Sequence, residues 1–239
     1  MRRHELAPGG SASAANTVSV SIAAAVAVAG VLIVTAFGVL AAPGRAVTAA
    51  DFHAVVSLNQ LHTGVIGALT TIVYTALSPV PAVAMTAVAT AVIWLVSRRL
   101  PLALTFAIGI AITWLPSALV KAIVHRPRPD AQLLPHPLAS QPSDASYPSG
   151  HEAFVATVAV VVLLMVRGTT ARAVVGVVGA LAIIAVGFSL VTDGVHYPTD
   201  VAASVLWALT LGPVIVLLVR RFVVPPLERR LPGRRRAVS

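Results

Sequence analysis

Cysteine is absent from this 239-residue chain, and charged residues are scarce. The missing cysteine excludes disulfide bonds and thiolate metal sites but leaves the redox compartment open. Only 10% of the residues are charged, against about 25% in a soluble domain, whereas 57% are hydrophobic. This deficit is too large for a surface that faces water. The composition therefore predicts an all-α fold, a polytopic membrane helix bundle.

Long apolar runs predict six membrane-spanning helices, since one span needs about 20 apolar residues. The runs that meet or approach this length are residues 18–41, 80–97, 101–120, 152–166, 172–191 and 201–219. The first run is longer than the core of a signal peptide, so we expect it to be retained as a helix. Residues 51–77 mix polar and apolar side chains, and they predict an interfacial helical segment between the first and second spans.

The distribution of basic residues predicts the orientation of these spans. With the N-terminus in the cytoplasm, thirteen of the seventeen Lys and Arg residues fall on cytoplasmic segments, as the positive-inside rule requires. The four on the other face are Arg45, Lys121, Arg126 and Arg128. The predicted organisation is a cytoplasmic N-terminal segment (1–17), a six-span membrane domain (18–219) and a basic cytoplasmic tail (220–239).

The basic residues also bear on partners and source. A net charge of +9 is explained by cytoplasmic loops and tail, and no soluble module remains to bind nucleic acid. We expect the lipid bilayer to be the surrounding partner. Sixteen arginines against one lysine, with abundant Ala and Val, are typical of a GC-rich bacterial genome. The expected location is therefore a bacterial plasma membrane. Nothing in the sequence indicates an oligomeric state.

Polar residues gather at three span ends, which this topology places together on the extracytoplasmic face. The first cluster, Lys121 to Pro129, contains Arg126 and Arg128. The second and third clusters are Tyr147-Pro148-Ser149-Gly150-His151 and Ser189 to Asp200, which includes His196. The loop between the first two clusters, residues 130–147, is polar and Pro-rich and could cover the site.

Each cluster also has an ordinary structural interpretation. Lys121, the only lysine, is either a snorkelling side chain or part of an anion site. Ser149 has the capping-box spacing to Glu152, and a capped helix N-terminus also attracts anions, so both roles are compatible. Asp200 lies four residues after His196, where it either caps the sixth span or fixes the tautomer of the imidazole.

Taken together, the clusters predict an anion site flanked by two histidines, which suits phosphoryl transfer. A metal site is the weaker interpretation. The histidines lack H-x-x-x-H or H-E-x-x-H spacing, and three basic residues would repel a cation. A transporter is disfavoured because its ionisable residues would lie mid-span, where these runs have almost none.

The three clusters resemble the signature of the type 2 phosphatidic acid phosphatase (PAP2) family, whose site is shared with vanadium haloperoxidases. The family pattern is K-x6-R-P, then P-S-G-H, then S-R-x5-H-x3-D. The matching residues are Lys121, Arg128, Pro129, Pro148, Ser149, Gly150, His151, Ser189, His196 and Asp200. The pattern departs at Leu190, where the family has an arginine that binds phosphoryl oxygens. Arg126 is predicted to compensate for that loss.

This resemblance implies an integral membrane lipid phosphatase that works through a phosphohistidine and needs no metal or other cofactor. His196 would attack phosphorus, Asp200 would orient its ring, and His151 would act first as general acid and then as general base. The groups implied to hold the phosphoryl oxygens are Lys121, Arg128, Ser149, Gly150 and, in compensation, Arg126. The implied substrates are phosphatidate, phosphatidylglycerol phosphate or a polyprenyl diphosphate. The alternative is a non-catalytic member of the fold that binds lipid phosphate, because Leu190 replaces the arginine.

Overall fold

The computed structural model describes residues 10–41 and 46–230, where all regular structure is helical. The α-helices are α1 (Gly10–Leu40), α2 (Ala46–Asn59), α3 (Gly64–Ala76), α4 (Pro79–Ser97), α5 (Leu100–Trp114), α6 (Ser117–Val124), α7 (Gly150–Met165), α8 (Thr169–Thr192), α9 (Pro198–Leu218) and α10 (Val224–Arg230). A single 3-10 turn (Ala131–Leu133) lies in the loop before α7, and a π-helical turn (Val219–Val223) joins α9 to α10. The predicted all-α fold class is confirmed.

Five stretches within the described residues are long and apolar enough to cross a membrane. They are Val20–Leu40, Pro79–Ser97, Leu100–Val124, Thr169–Thr192 and Pro198–Arg229. These stretches match five of the six predicted spans. The remaining one, predicted at 152–166, is the apolar helix α7, whose 16 residues are fewer than a straight span needs. The total of six crossings therefore stays a prediction.

The polar segment between the first two spans folds as two helices, α2 and α3. It begins at Ala46 rather than at residue 51 and ends at Ala76, close to the predicted end. Both helices pack against α8, and α2 also touches α9. Val55 and Phe52 of α2 contribute to an apolar cluster with Val191 of α8. The predicted interfacial position of the two helices stays a prediction.

A proline divides the third span. Pro116 has no N–H to donate, so the ladder of α5 ends at Trp114 and the chain resumes as the short helix α6. The helix then continues to Val124, four residues beyond the predicted end of the span. Lys121 consequently lies in the last turn of α6 rather than just after a helix.

The core of the bundle is α7, which packs against α5, α8 and α9, while α1 packs against α9 and α4 against α5. The consecutive helices α5–α6, α7, α8 and α9 run in alternating directions. The ends of α6 and α8 therefore meet the beginnings of α7 and α9 at one end of the bundle. All three predicted clusters lie at this end.

Basic side chains gather at the opposite end of the bundle. Arg98 and Arg99 join α4 to α5, and Arg220 follows α9, where its guanidinium donates a hydrogen bond of 2.8 Å to the Leu164 carbonyl. Parts of the predicted cytoplasmic segments lie outside the described residues, namely 1–9 and 231–239 with their arginines, and so does Arg45. Among the described basic residues, the asymmetry used to predict orientation is retained.

Candidate active site

Ser149 begins α7 and caps it. Its hydroxyl accepts a 3.4 Å hydrogen bond from the Glu152 backbone N–H, as the capping spacing predicts. Only half of the box forms, since both Glu152 carboxylate oxygens lack a hydrogen-bond partner among the described residues. The Ser204 hydroxyl lies 2.9 Å from the Ser149 carbonyl and 2.8 Å from that of Asp200. This contact attaches the start of α7 to the first turns of α9.

Asp200 completes the cap of α9 and contacts His196 with the same carboxylate. Pro198 is the first residue of α9, a position where its missing N–H costs nothing. Oδ2 of Asp200 accepts a 2.9 Å hydrogen bond from the Tyr197 N–H and lies 3.4 Å from Nδ1 of His196. The N-cap of α9 is Tyr197 rather than Asp200, which is the third residue of the helix. The Asp200 carboxylate completes the capping box by accepting from the Tyr197 N–H, and it also faces His196, the second role that the spacing left open.

The contacts of His196 determine its tautomer. Nη1 of Arg128 lies 3.2 Å from Nε2 of His196, and a guanidinium can only donate, so Nε2 carries the lone pair. The imidazole proton is then on Nδ1, facing Asp200. Burial, followed by the positive charges of Arg128 and Lys121, lowers the pKa of His196 well below its usual value. His196 is therefore a neutral imidazole with its free nitrogen beside a cation.

Asp144 occupies the anion position between the two predicted phosphate-binding cations. Its Oδ2 lies 2.6 Å from the Lys121 ammonium and its Oδ1 lies 2.7 Å from Nη2 of Arg128. Burial alone would raise the pKa of Asp144, but hydrogen bonds from Lys121 and Arg128 outweigh it and lower that pKa to about 2. Sequence reasoning missed this residue, and the only signal was an acidic side chain in a loop placed beside three cations.

Arg126 does not join the other two cations. Residues 125–130 have no regular secondary structure, and the two arginines make separate contacts: Arg128 binds Asp144, whereas Arg126 turns into the bundle. The Arg126 guanidinium is buried and binds Asp200 at 2.7 Å and Asp51 of α2 at 2.8 Å. It also stacks on the Tyr197 ring, 3.9 Å from the centroid. The geometry does not support a compensating phosphate contact from Arg126.

Leu190 lies in an apolar cluster beneath the loop. The Leu190 side chain is 0% exposed and packs with Leu138 of the loop, Val186 and Val195, which are also buried. Its carbonyl accepts hydrogen bonds from the backbone N–H groups of Val195 and His196, so it supports the turn that carries His196. Where the family pattern has an arginine, this chain has a leucine that makes a hydrophobic contact with the loop.

His151 is stacked against an aromatic ring that sequence reasoning did not assign. The Tyr74 ring of α3 lies 4.6 Å from the imidazole centroid at an interplanar angle of 28°. Nε2 of His151 is buried and has no hydrogen-bond partner among the described residues. At Gly150, a Cβ would meet no heavy atom within 4 Å, so space is open beside the first N–H groups of α7. These free groups are where an anion would bind.

The loop of residues 130–147 covers the site and is held at several points. The Asn59 amide of α2 bonds the His136 carbonyl at 3.0 Å and the Thr192 carbonyl at 2.9 Å. At the other end, the Tyr147 hydroxyl donates a 2.6 Å hydrogen bond to the Val34 carbonyl of α1. Beneath this cover His196 is 0% exposed. An anion that binds both Lys121 and Arg128 must displace the Asp144 carboxylate from between them.

The structure thus brings most of the predicted residues together. His196 contacts both Asp200 and Arg128, Lys121 joins Arg128 through Asp144, and Ser149 is attached through Ser204. Arg126 lies behind Asp200. Within the described part of the chain, no three His, Cys, Asp or Glu side chains form a group that could hold a metal ion. The assembled groups can bind an anion and present a neutral imidazole nitrogen to it.

Comparisons with known proteins agree with a helical membrane fold. The chain is 32% identical over 116 residues to an undecaprenyl-diphosphatase from Sulfolobus acidocaldarius, a match that covers 48% of this chain and 54% of that protein. The chain thus spans about half the length of this curated relative. The fold superposes on the crystal structure of a transmembrane PAP2-type phosphatidylglycerolphosphate phosphatase from Bacillus subtilis with a TM-score of 0.65 and 21% identity, covering 87% of this chain and 98% of that one. The profile of the PAP2 superfamily matches residues 98–223, more than half of the chain, and the chain belongs to that superfamily.

Proposed function

We propose that this multi-pass membrane protein is a lipid phosphatase that hydrolyses a phosphomonoester or diphosphate of a lipid through a phosphohistidine. The observation that carries the proposal is the lone pair of His196 Nε2, held 3.2 Å from Arg128 while Asp200 faces the opposite ring nitrogen. A nucleophile between a cation and an orienting carboxylate is the arrangement that covalent phosphoryl transfer needs.

In the first step, the substrate phosphate replaces the Asp144 carboxylate between Lys121 and Arg128. Those two cations then neutralise a phosphate dianion, and the free N–H groups at the start of α7 add hydrogen bonds. Arg128 moves its donor from Nε2 of His196 to a phosphoryl oxygen. The lone pair of His196 is then free to attack phosphorus.

Attack forms the bond from Nε2 to phosphorus and breaks the bond from phosphorus to the leaving oxygen. His151 donates a proton to that oxygen, and Asp200 stabilises the positive charge that appears on the His196 ring. In the second step, His151 takes a proton from water, whose oxygen attacks phosphorus. Phosphate leaves and His196 returns to its neutral form.

Several features favour a lipid substrate. The site lies at the end of a membrane helix bundle, where the phosphate of a lipid headgroup would be found. The two relatives described above are named for a polyprenyl diphosphate and for phosphatidylglycerol phosphate, so both lipids are candidates, together with phosphatidate. The basic residues at the opposite end favour cytoplasmic termini and an extracytoplasmic site.

The proposal is tested by measuring phosphate release from lipid phosphates in detergent micelles. The purified protein would be given phosphatidate, phosphatidylglycerol phosphate and a polyprenyl diphosphate, each with and without EDTA. We expect release that EDTA does not reduce. If no lipid is hydrolysed while vesicles containing phosphatidate still bind the protein, the chain is a binding protein, the alternative that Leu190 suggests.

Asp144→Asn is expected to lower the KM for lipid phosphate about three- to tenfold and to leave kcat nearly unchanged, because a competing anion is removed. The size of the effect follows from the free energy of partly exposed ion pairs, about 1 kcal/mol each. The Asp144 side chain is 54% exposed, so it can leave the cations without disturbing the core. Since its pKa is about 2, the effect should persist between about pH 5 and 8.

The matched control is Asp130→Asn in the same loop. The Asp130 carboxylate accepts a hydrogen bond from the Gln132 N–H, so the change should leave KM unaltered. A KM that rises in Asp144→Asn would mean that Asp144 holds the two cations in place for the substrate instead of competing with it. The inhibition constant of inorganic phosphate, measured on both variants, gives the same comparison for a ligand that has no lipid tail.

A further inference from the structure

A buried ion network behind the nucleophile joins α2 to the start of α9. Arg126 is 1% exposed, and its two terminal nitrogens bind different carboxylates. Nη1 lies 2.7 Å from Oδ1 of Asp200 and Nη2 lies 2.8 Å from Oδ2 of Asp51. Asp51 is 6% exposed and comes from a helix outside the segment that matches the family.

Thr199 completes the network. Its hydroxyl accepts a 2.7 Å hydrogen bond from Nη1 of Arg126 and donates one to Oδ2 of Asp51. Its backbone N–H lies 3.3 Å from Oδ1 of Asp51. The first turn of α9, which carries Asp200, is therefore held from behind by a side chain of α2.

The charges of the network explain why two carboxylates share one guanidinium. Asp51, Arg126 and Asp200 together carry one negative charge. If Asp51 were neutral, Arg126 would cancel the charge of Asp200 completely. Asp200 would then stabilise the positive ring of the phosphorylated His196 less well, because buried charges interact strongly. The negative charge of Asp51 offsets part of the positive charge of Arg126. Arg126 therefore weakens the attraction between Asp200 and the His196 ring less than it would alone.

We propose that Asp51 and Arg126 are positioning residues for the reaction, which hold Asp200 in place and keep its negative charge effective toward His196. The role rests on the proposed function. A positioning role and a phosphate contact affect different kinetic constants. A residue that binds phosphate affects KM, whereas one that supports the transition state through Asp200 affects kcat.

The experiment compares Asp51→Asn, Arg126→Gln and the double variant in the full-length protein. Asp51→Asn should lower kcat about 10- to 100-fold, by analogy with the loss of a side chain that orients a metal-binding residue. KM and the inhibition constant of inorganic phosphate should change by less than about twofold. Arg126→Gln should be more impaired, because it leaves two buried carboxylates without a counter-charge.

The double variant supplies the decisive comparison. It restores the single negative charge of the unmodified network, so we expect it to have a higher kcat than Arg126→Gln alone. Arg126→Lys should recover part of the activity. The control is Arg172→Gln, an exposed arginine at the opposite end of the bundle. Elution profiles and unfolding midpoints identify any variant that does not fold. If Arg126→Gln does not fold, Asp51→Asn and the double variant are sufficient to test the role.

Three results would count against the role. An unchanged kcat in Asp51→Asn overturns it while the proposed function stands. A raised KM with kcat retained in Arg126→Gln would mean that Arg126 binds phosphate after all. If the unmodified protein releases no phosphate, the proposed function fails and the positioning role fails with it.

Discussion

His196→Ala is expected to lower phosphate release by about 10⁴-fold or more for every lipid phosphate that the protein hydrolyses. Alanine removes the atom that is proposed to form the bond to phosphorus and leaves the cations around an empty space. The measurement is phosphate release in micelles, together with a search for a phosphorylated protein after mixing with labelled substrate. The unmodified protein should carry a label that is lost in acid and retained in base, as a phosphorus–nitrogen bond requires.

The control for this prediction is His53→Ala, which removes an exposed histidine of α2. This variant should match the unmodified protein in both measurements. The pH dependence gives an independent check. Because burial and nearby cations lower the pKa of His196, the acid limb of kcat/KM should lie below pH 6.5, the usual histidine value. A label that survives in His196→Ala would show that another residue is the nucleophile.

His151→Ala is expected to lower kcat about 10²- to 10⁴-fold for a phosphomonoester, since the leaving alkoxide needs a proton. The loss in the first step should be much smaller for a diphosphate, whose leaving group is a stable phosphate anion. The second step still needs a base to activate water. We therefore expect labelled phosphohistidine to accumulate in His151→Ala when the substrate is a diphosphate.

This accumulation separates the two proposed roles of His151. A variant that loses activity without accumulating label from a diphosphate would contradict the role of His151 as the base. The matched control is His125→Asn, because His125 is exposed and has a φ of 48°, a conformation that asparagine tolerates. This control should retain activity on both classes of substrate.

The general fold and the grouping of the site could be predicted because the bilayer limits the possibilities. Long apolar runs can only be helices in hydrocarbon, and alternating helices place every second connection at the same end. Lys121, Arg128, Ser149, His196 and Asp200 were grouped on that basis, and the structure connects them. The bounds of α7 agree with the predicted run to within two residues, but whether this helix crosses the membrane is harder to predict, since apolar residues look the same inside a bundle and in lipid.

The remaining features of the site depend on tertiary contacts that a linear pattern does not contain. Asp51 and Tyr74 reach the site only because α2 and α3 pack against α8. Asp144 is 23 residues from Lys121, and nothing in its neighbours indicates a pairing. The prediction for Arg126 relied on nearness in sequence to Arg128. Nearness along the chain does not fix side-chain direction in an irregular segment such as residues 125–130. The carboxylates that hold Arg126 in the interior, Asp51 and Asp200, come from other helices.

The contribution of α2 has a consequence for protein engineering. The segment that matches the family, residues 98–223, contains both histidines but lacks Asp51 and Tyr74. A chimera that transplants only this segment onto the N-terminal half of another protein would inherit a buried arginine with one of its two counter-charges missing. Such a graft needs an acidic side chain at the α2 position that faces Arg126. The transferable unit of this fold therefore begins at α2, well before the first recognisable motif.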